Sequence, residues 1–265
     1  MKTPKPALPF YFGSPGRELF GCFHEASQVG IRSCAVLICQ PIGHEYVNSH
    51  RALRQLAVRL AEAGFPVLRF DYSGCGDSYG EAEQSSITQW LEDISTALTH
   101  LRALTGMLQI CVIGLRLGGT LAAVTGSRCG DFQSLVLWEP VVNGKNYLKE
   151  LHSLQEEMLR FRPKPKARAH AEILGFPLSR LLHEQLEELD LGRIARKPAA
   201  RVLIVQHAPA NDEGNWKNHL VQARAQVEHQ TMQAPPIWLP ASDGNLLVPA
   251  QVLQSVVSWV CGVSQ

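Results

Sequence analysis

The chain of 265 residues is 45% hydrophobic, which is enough to bury the core of one large domain. Its net charge is only +1, and this near-balance argues against general binding to nucleic acid or to anionic membranes. No apolar run reaches the length of a transmembrane helix, and the first residues do not resemble a signal peptide. We therefore expect a cytoplasmic protein with no transmembrane segment and no nucleic-acid partner.

The seven cysteines are odd in number and show no C-x-x-C spacing. Three of them, Cys34, Cys39 and Cys111, fall in apolar runs, where a reduced cysteine is simply a small core residue. The histidines show no metal-ligand spacing, and no glycine-rich nucleotide-binding motif is present. We predict no metal and no cofactor.

The first elements alternate between strands and helices. An opening hairpin is predicted, with a Gly-Ser-Pro-Gly turn between aromatic-rich arms. Ser86 is a predicted N-cap for a helix that reaches about Leu104. The predicted strands are 33–39, 65–70, 108–113 and 134–138, and the predicted helices are 48–63, 86–104 and 119–127. Continuously apolar strands separated by helices indicate an α/β fold with a mostly parallel central sheet, covered by helices on both faces.

The alternation stops between residues 142 and 197, where helical periodicity appears near 146–160 and 177–190. We predict that residues 142–197 form a helical cap insertion over the carboxyl ends of the strands. Residues 1–141 and 198–265 then form the core domain, which ends with predicted elements at 200–206, 215–226, 227–239 and 249–263.

A basic stretch at residues 160–168 lies between the two cap helices. The usual interpretation is a solvated loop. The alternative is a surface through which the cap attracts an acidic protein partner or an anionic lipid precursor.

The chain reads Gly114-Leu115-Arg116-Leu117-Gly118-Gly119 where a strand turns into a small-residue helix. This is the shape of a nucleophile elbow, in which glycines permit the close packing that presents the central side chain. The central residue is Arg116. A guanidinium stays protonated at ordinary pH, so it is neither a nucleophile nor a general base.

The order of elements, the elbow and the cap together resemble the α/β-hydrolase superfamily. Residues 70–78, Phe-Asp-Tyr-Ser-Gly-Cys-Gly-Asp-Ser, are similar to the loop after a strand in its serine aminopeptidase, S33-like branch. Residues 114–118, 137–145, 175–179 and 234–238 resemble the second hydrolase associated with the exosortase A system of exopolysaccharide-producing bacteria. This resemblance implies that arginine at the elbow is the usual state of the subgroup, and its hydrolase name rests on fold analogy.

An intact hydrolase of this fold needs a nucleophile, then an acid, then a histidine before the last helix. Asp212 is the candidate for the acid position, and its alternative role is to cap the following helix. Residues 240–245 contain no histidine. The triad is therefore degenerate, and loss of the nucleophile alone costs on the order of 10⁶ in rate in a serine hydrolase.

Part of an anion site is still expected. The loop at residues 40–46, with Gly43, His44 and Glu45, stands where hydrolases donate one oxyanion N–H, and Leu117 supplies the other. Backbone donors at a helix N-terminus and the Arg116 guanidinium favour a carboxylate or phosphate ligand. The alternative is that Arg116 is neutralised internally by Glu45, Asp71 or Asp77 and plugs the pocket.

A relocated catalyst is a third hypothesis. Cys75 and Ser78 lie on a loop expected near the strand carboxyl ends, and His44 is the candidate base for either. The alternative is that Gly74, Gly76 and Asp77 simply shape a tight loop.

The sequence thus predicts a pocket organised by Arg116 that binds a small acyl or anionic intermediate of exopolysaccharide or lipid metabolism. Hydrolase activity is expected to be weak or unconventional. The competing hypotheses are a non-catalytic protein that binds a partner, and a true ester or thioester hydrolase or acyltransferase with a relocated nucleophile. Whether the chain is an enzyme stays open at the level of sequence.

Overall fold

A computed structural model describes residues 6–27, 30–130, 132–160, 171–207, 214–240 and 247–264. The strands are β1 Leu8–Phe12, β2 Leu19–His24, β3 Cys34–Cys39, β4 Val67–Phe70, β5 Gln109–Leu115, β6 Ser134–Trp138, β7 Glu172–Ile173, β8 Phe176–Pro177, β9 Arg201–Gln206 and β10 Gln226–Thr231. The helices are α1 Gly43–Glu62, α2 Ile87–Thr105, α3 Leu117–Cys129, α4 Gly144–Leu159, α5 Arg180–Glu188, α6 Gly214–Gln222 and α7 Ala250–Val263, with short 3-10 turns at Ala82–Gln84 and Leu191–Arg193.

The described strands form one eight-stranded sheet in the order β1-β2-β4-β3-β5-β6-β9-β10 and a separate two-stranded hairpin, β7-β8. From β4 to β10 the neighbours are parallel, whereas β2 pairs antiparallel with β1 and with β4. This mostly parallel sheet confirms the predicted α/β-hydrolase fold.

Apolar side chains cover both faces of the sheet. One core packs α1 and α7 against the sheet, with Leu53, Leu56 and Val256 fully buried. The other core packs α2 and α3 against the opposite face, with Trp90 and Leu121 fully buried. Burial on both faces explains why the central strands read as unbroken apolar runs rather than alternating ones.

The turn between β5 and α3 depends on glycines that allow very close backbone contact. A Cβ on Gly118 would lie 2.3 Å from the carbonyl oxygen of Cys39, and one on Gly114 would lie 2.3 Å from the Cα of Gly119. These distances leave no room for any side chain. The close approach holds α3 against β3 and β5 and fixes the direction of the residue at the turn.

The stretch from residue 142 to 197, called here the β6–β9 segment, contains α4, the β7–β8 hairpin and α5 in its described parts. Gly144 at the start of α4 lies so close to the carbonyl oxygen of Leu186 that a Cβ would overlap it. Apolar residues of the segment, among them Leu148 and Leu182, join the core on the α2 and α3 side. Its assignment as a separate cap stays a prediction.

Three predicted boundaries differ from the structure. Helix α1 begins at Gly43, five residues before the predicted start. The sequence gives no signal for this start, because the residue before the helix, Ile42, has an apolar side chain that cannot cap it. Strand β10 ends at Thr231 rather than at residue 239, since Pro235 and Pro236 cannot donate to a ladder. Helix α6 ends at Gln222 instead of near residue 226.

We expect Gly118→Ala to destabilise the fold strongly, by about 3 kcal/mol or more, because a backbone carbonyl cannot move aside as a flexible side chain can. Gly262→Ala is the matched control, since a Cβ there meets nothing within 4 Å and alanine favours a helix by about 1 kcal/mol. Urea unfolding of both variants measures the difference. Equal stabilities would contradict the proposed close contact of α3 with β3.

Candidate functional site

Arg116 occupies the turn between β5 and α3 in a backbone conformation that L-residues rarely adopt, with φ 52° and ψ −126°. Its N–H donates to the carbonyl oxygen of Trp138 at 2.9 Å, which anchors the turn to β6. The turn therefore has the sharp geometry that the glycine pattern predicts, and it carries an arginine side chain.

The Arg116 guanidinium lies between two carboxylates. Its Nε donates to Oε1 of Glu45 on α1 at 2.7 Å, and one terminal nitrogen donates to Oε2 of Glu150 on α4 at 2.7 Å. The Tyr147 hydroxyl donates to the other oxygen of Glu45 at 3.0 Å. Arg116 and Glu45 are 8% and 1% exposed, whereas the Glu150 side chain is 41% exposed.

Two aromatic rings complete the surroundings of the guanidinium. Its carbon lies 5.1 Å from the ring centre of Trp238 and 5.5 Å from that of Tyr147, distances at which a cation is attracted to an aromatic ring. We call Arg116, Glu45, Glu150, Tyr147 and Trp238 the arginine cluster. It joins α1, the β5–α3 turn, α4 and the chain after β10.

The cluster favours a charged guanidinium. Burial alone lowers the pKa of Arg116, but the carboxylates of Glu45 and Glu150 outweigh it, and the pKa lies above its usual value. Burial raises the pKa of Glu45, and the contacts with Arg116 and Tyr147 oppose this rise. Because protonation of Glu45 would leave the buried guanidinium with one partly exposed carboxylate, the ion pair is the favoured state at neutral pH.

These contacts favour the interpretation in which Arg116 is neutralised internally. Of the three partners considered from the sequence, Glu45 makes the ion pair. Asp71 is engaged elsewhere: it accepts hydrogen bonds from the Gln40 side chain at 2.6 Å and from the Asp77 N–H at 3.1 Å. Glu45 is therefore the ion-pair partner of Arg116, and its role in ligand binding stays a prediction.

An apolar cavity of about 240 Å³ lies beside the cluster, between the sheet and the β6–β9 segment. Gly43, His44, Cys75 and Trp90 line it from the sheet side, and the segment contributes Tyr147, Leu151, Ile173, Phe176, Leu178, Leu182 and Leu186. Arg116 is not among the lining residues. The Arg116 side chain points into its own ion pairs, and its role in organising the ligand site stays a prediction.

His44 lies in the first turn of α1 and lines the cavity. Burial, reinforced by the nearby charge of Arg116, lowers its pKa to about 4. Its buried Nε2 has no hydrogen-bond partner among the described residues. A histidine in this state is neutral at pH 7 and is a weak general base, since effective bases have a pKa near the working pH.

The two candidate relocated nucleophiles are differently placed. Cys75 lines the cavity, but burial raises the pKa of its thiol to about 12, so the reactive thiolate is scarce at neutral pH. Ser78 does not line it: its hydroxyl accepts from the N–H of Phe20 at 2.8 Å and donates to the carbonyl of Asp71 at 2.6 Å. The structure brings neither residue into a hydrogen bond with Nε2 of His44.

Three sequence expectations fall outside the described residues. Asp212, the loop at 241–245 and most of the basic stretch after Arg160 are not described, so their roles stay predictions. Leu117 is fully buried as the first residue of α3, and its proposed role as an oxyanion donor also stays a prediction. No group of three His, Cys, Asp or Glu side chains suited to a metal occurs in the described part of the chain.

Sequence reasoning missed Glu150, Tyr147 and Trp238. A buried arginine demands a carboxylate partner, and this rule does lead to Glu45. Glu150 and Tyr147 are one turn apart on α4 and so share a face. However, the sequence does not show that this face lies over the β5–α3 turn.

Comparison with known proteins agrees with the fold. The family described as serine aminopeptidase, S33, matches residues 38–252. The chain belongs to this family. A search of curated proteins gives no match. The finer resemblance to the exosortase-associated subgroup stays a prediction.

Solved structures similar to this S33 family member include several esterases. Est1E from Butyrivibrio proteoclasticus with ferulic acid bound matches with a TM-score of 0.68 at 17% identity, covering 96% of this chain and 98% of that one. A thermostable carboxyl esterase from Bacillus coagulans matches with 0.64 at 13% identity, covering 98% and 100%. The Pyrococcus furiosus esterase PF2001 matches with 0.66 at 13% identity, covering 98% and 91%. At these identities the likeness shows the fold.

No helix among the described residues of this family member is long and apolar enough to span a membrane.

The lowered pKa of His44 predicts a pH-dependent stability. Its folded pKa of about 4 lies below the unfolded value of 6.5, so the unfolded chain binds more protons between these limits and stability falls as pH drops from 6.5 to 4. His24, also lowered to about 4 by burial, acts in the same sense, whereas the raised pKa values of Asp93 and Glu139 act in the opposite sense.

Comparison of variants isolates the contribution of His44. We expect His44→Leu to lose less free energy of unfolding between pH 6.5 and 4 than the parent protein, as measured by urea unfolding across that range. His50→Leu, on the exposed part of the same helix, controls for loss of any histidine. A parallel pH profile for His44→Leu and the parent would contradict the burial of a neutral His44.

Proposed function

We propose that this S33 family member binds the acyl or other apolar group of a small ligand in the cavity and does not cleave it by serine-type hydrolysis. The observation that carries the proposal is the arginine cluster beside an apolar cavity. The residue at the elbow is a cation held by two carboxylates, and the adjoining space is lined almost wholly by apolar groups.

The absence of a nucleophile at the elbow supports the non-catalytic part of the proposal. An arginine cannot attack a carbonyl carbon, and Nε and one terminal nitrogen of Arg116 already donate to Glu45 and Glu150. A thiolate nucleophile needs a lowered cysteine pKa, but that of Cys75 is raised to about 12. The pKa of His44 is lowered to about 4, which makes it a weak base for such a nucleophile.

The cavity supports the binding part of the proposal. Its volume of about 240 Å³ is slightly below the range of about 300–1,000 Å³ typical of small-molecule sites. Its apolar lining favours a hydrocarbon or aromatic group over a polar one. A bound aromatic acid in Est1E is consistent with ligand binding on this fold.

An ester hydrolase is the second candidate, favoured by the esterases among the similar structures. It requires a nucleophile other than the residue at position 116. Reaction with a fluorophosphonate probe and turnover of p-nitrophenyl esters test this candidate, since both report an activated serine. We expect no labelling of the protein by the probe and no turnover of the esters above the rate in buffer alone. Stoichiometric labelling would contradict the non-catalytic part of the proposal.

Binding is tested with Nile red, a neutral apolar dye, and its displacement by decanol. We expect Ala82→Trp, at a half-buried position on the cavity wall, to weaken binding of both at least tenfold by occupying the space. Glu83→Trp, at the exposed neighbouring position, is the matched control and should bind as the parent does. Equal binding by both variants would place the ligand outside the cavity and contradict the proposal.

A further inference from the structure

We infer that the cavity selects uncharged ligands, such as alcohols and intact esters with an apolar chain, and rejects the corresponding carboxylates. This inference rests on the proposed function and defines its ligand class. It replaces the expectation that the cation at the elbow makes the site a receptor for anions.

The first observation is the charge of the lining. None of the described residues around the cavity is Lys, Arg, Asp or Glu. A carboxylate that enters such a space loses its hydration and finds no cation, a cost of several kcal/mol in an apolar environment. An alcohol or an ester has only the smaller cost of burying one uncharged polar group.

The second observation is the charge directly behind the wall. Tyr147 lines the cavity and donates its hydroxyl to Glu45, and Gly43 and His44 are the neighbours of Glu45 in α1. With both carboxylates ionised, the cluster holds one positive and two negative charges. At Tyr147 the charges of Glu45 and Glu150 act against a second anion and that of Arg116 acts in its favour, whereas at His44 the charge of Arg116 is felt. The wall is therefore least favourable to an anion beside Tyr147.

The third observation is that the wall itself does not titrate near neutral pH. His44 has a pKa lowered to about 4, burial raises the pKa of Tyr46 and Cys75 to about 12, and burial raises that of Tyr147 well above its usual value. These wall side chains therefore keep their protonation states between pH 6 and 8, and a change of affinity in that range that decanol does not share reports the protonation of the ligand.

Decanol, methyl decanoate and decanoate, each competing with Nile red on the full-length protein, test the inference. We expect decanol and the ester to bind at least tenfold more tightly than decanoate at pH 8. Because a carboxylic acid titrates near pH 4 to 5, the apparent affinity for decanoate should rise as the pH falls from 8 to 6, by at most about tenfold for each pH unit. Affinity for decanol should stay constant.

A variant tests the contribution of the cluster charge. Glu150→Gln removes one negative charge at a partly exposed position, and we expect it to raise the affinity for decanoate several-fold at pH 8 without changing that for decanol. Glu156→Gln, an exposed residue of the same helix, is the matched control and should change neither. An equal gain in both variants would attribute the effect to general surface charge and contradict the role of the cluster.

Two other results have distinct meanings. If decanoate binds as tightly as decanol at pH 8, with no pH dependence, the inference on ligand charge is overturned while the proposed function stands. If none of the three compounds displaces Nile red or gives heat in calorimetry, the proposed function fails, and this inference with it.

Discussion

A buried guanidinium must be compensated, and the arrangement around Arg116 follows from that requirement. An unpaired charge in a protein interior costs several kcal/mol, so a cation at the β5–α3 turn cannot persist without carboxylates. Glu45 comes from the first turn of α1 and Glu150 from α4. The single side chain at position 116 therefore ties the β6–β9 segment to the sheet.

The same requirement separates the elbow from the cavity. In a serine hydrolase the residue at the turn faces the bound substrate, because it must attack it. Here the side chain is enclosed by Tyr147 and Trp238 and points to its own counter-ions. The strained backbone conformation at φ 52° is retained although no nucleophile is presented. The geometry of the turn is thus set by the glycine contacts of α3 with β3 and β5, and it does not depend on the chemistry of the central residue.

The sheet and the elbow could be predicted from the sequence because both rest on local patterns. Buried parallel strands appear in the sequence as apolar runs, and the glycines at 114 and 118 mark where α3 approaches the strands closely. The start of α1 could not be predicted, since Ile42 gives no capping signal. The cavity and the ion pair of Glu150 could not be predicted either. Both depend on how α4 packs over the sheet, and local sequence patterns do not report such long-range contacts.

We expect Arg116 and Glu45 to stabilise the fold as a pair. A double-mutant cycle with Arg116→Met, Glu45→Gln and the combined variant, measured by urea unfolding, tests it most directly. Each single change should cost about 3 kcal/mol, because Arg116→Met leaves the buried Glu45 carboxylate without its cation and Glu45→Gln leaves the guanidinium with the partly exposed Glu150 alone. The combined variant should cost at least about 2 kcal/mol less than the two single costs together. The same cycle on the exposed pair Arg180–Glu184 should give a much smaller coupling, because solvent screens an exposed ion pair. Additive costs at Arg116 and Glu45, within about 0.5 kcal/mol, would contradict the account.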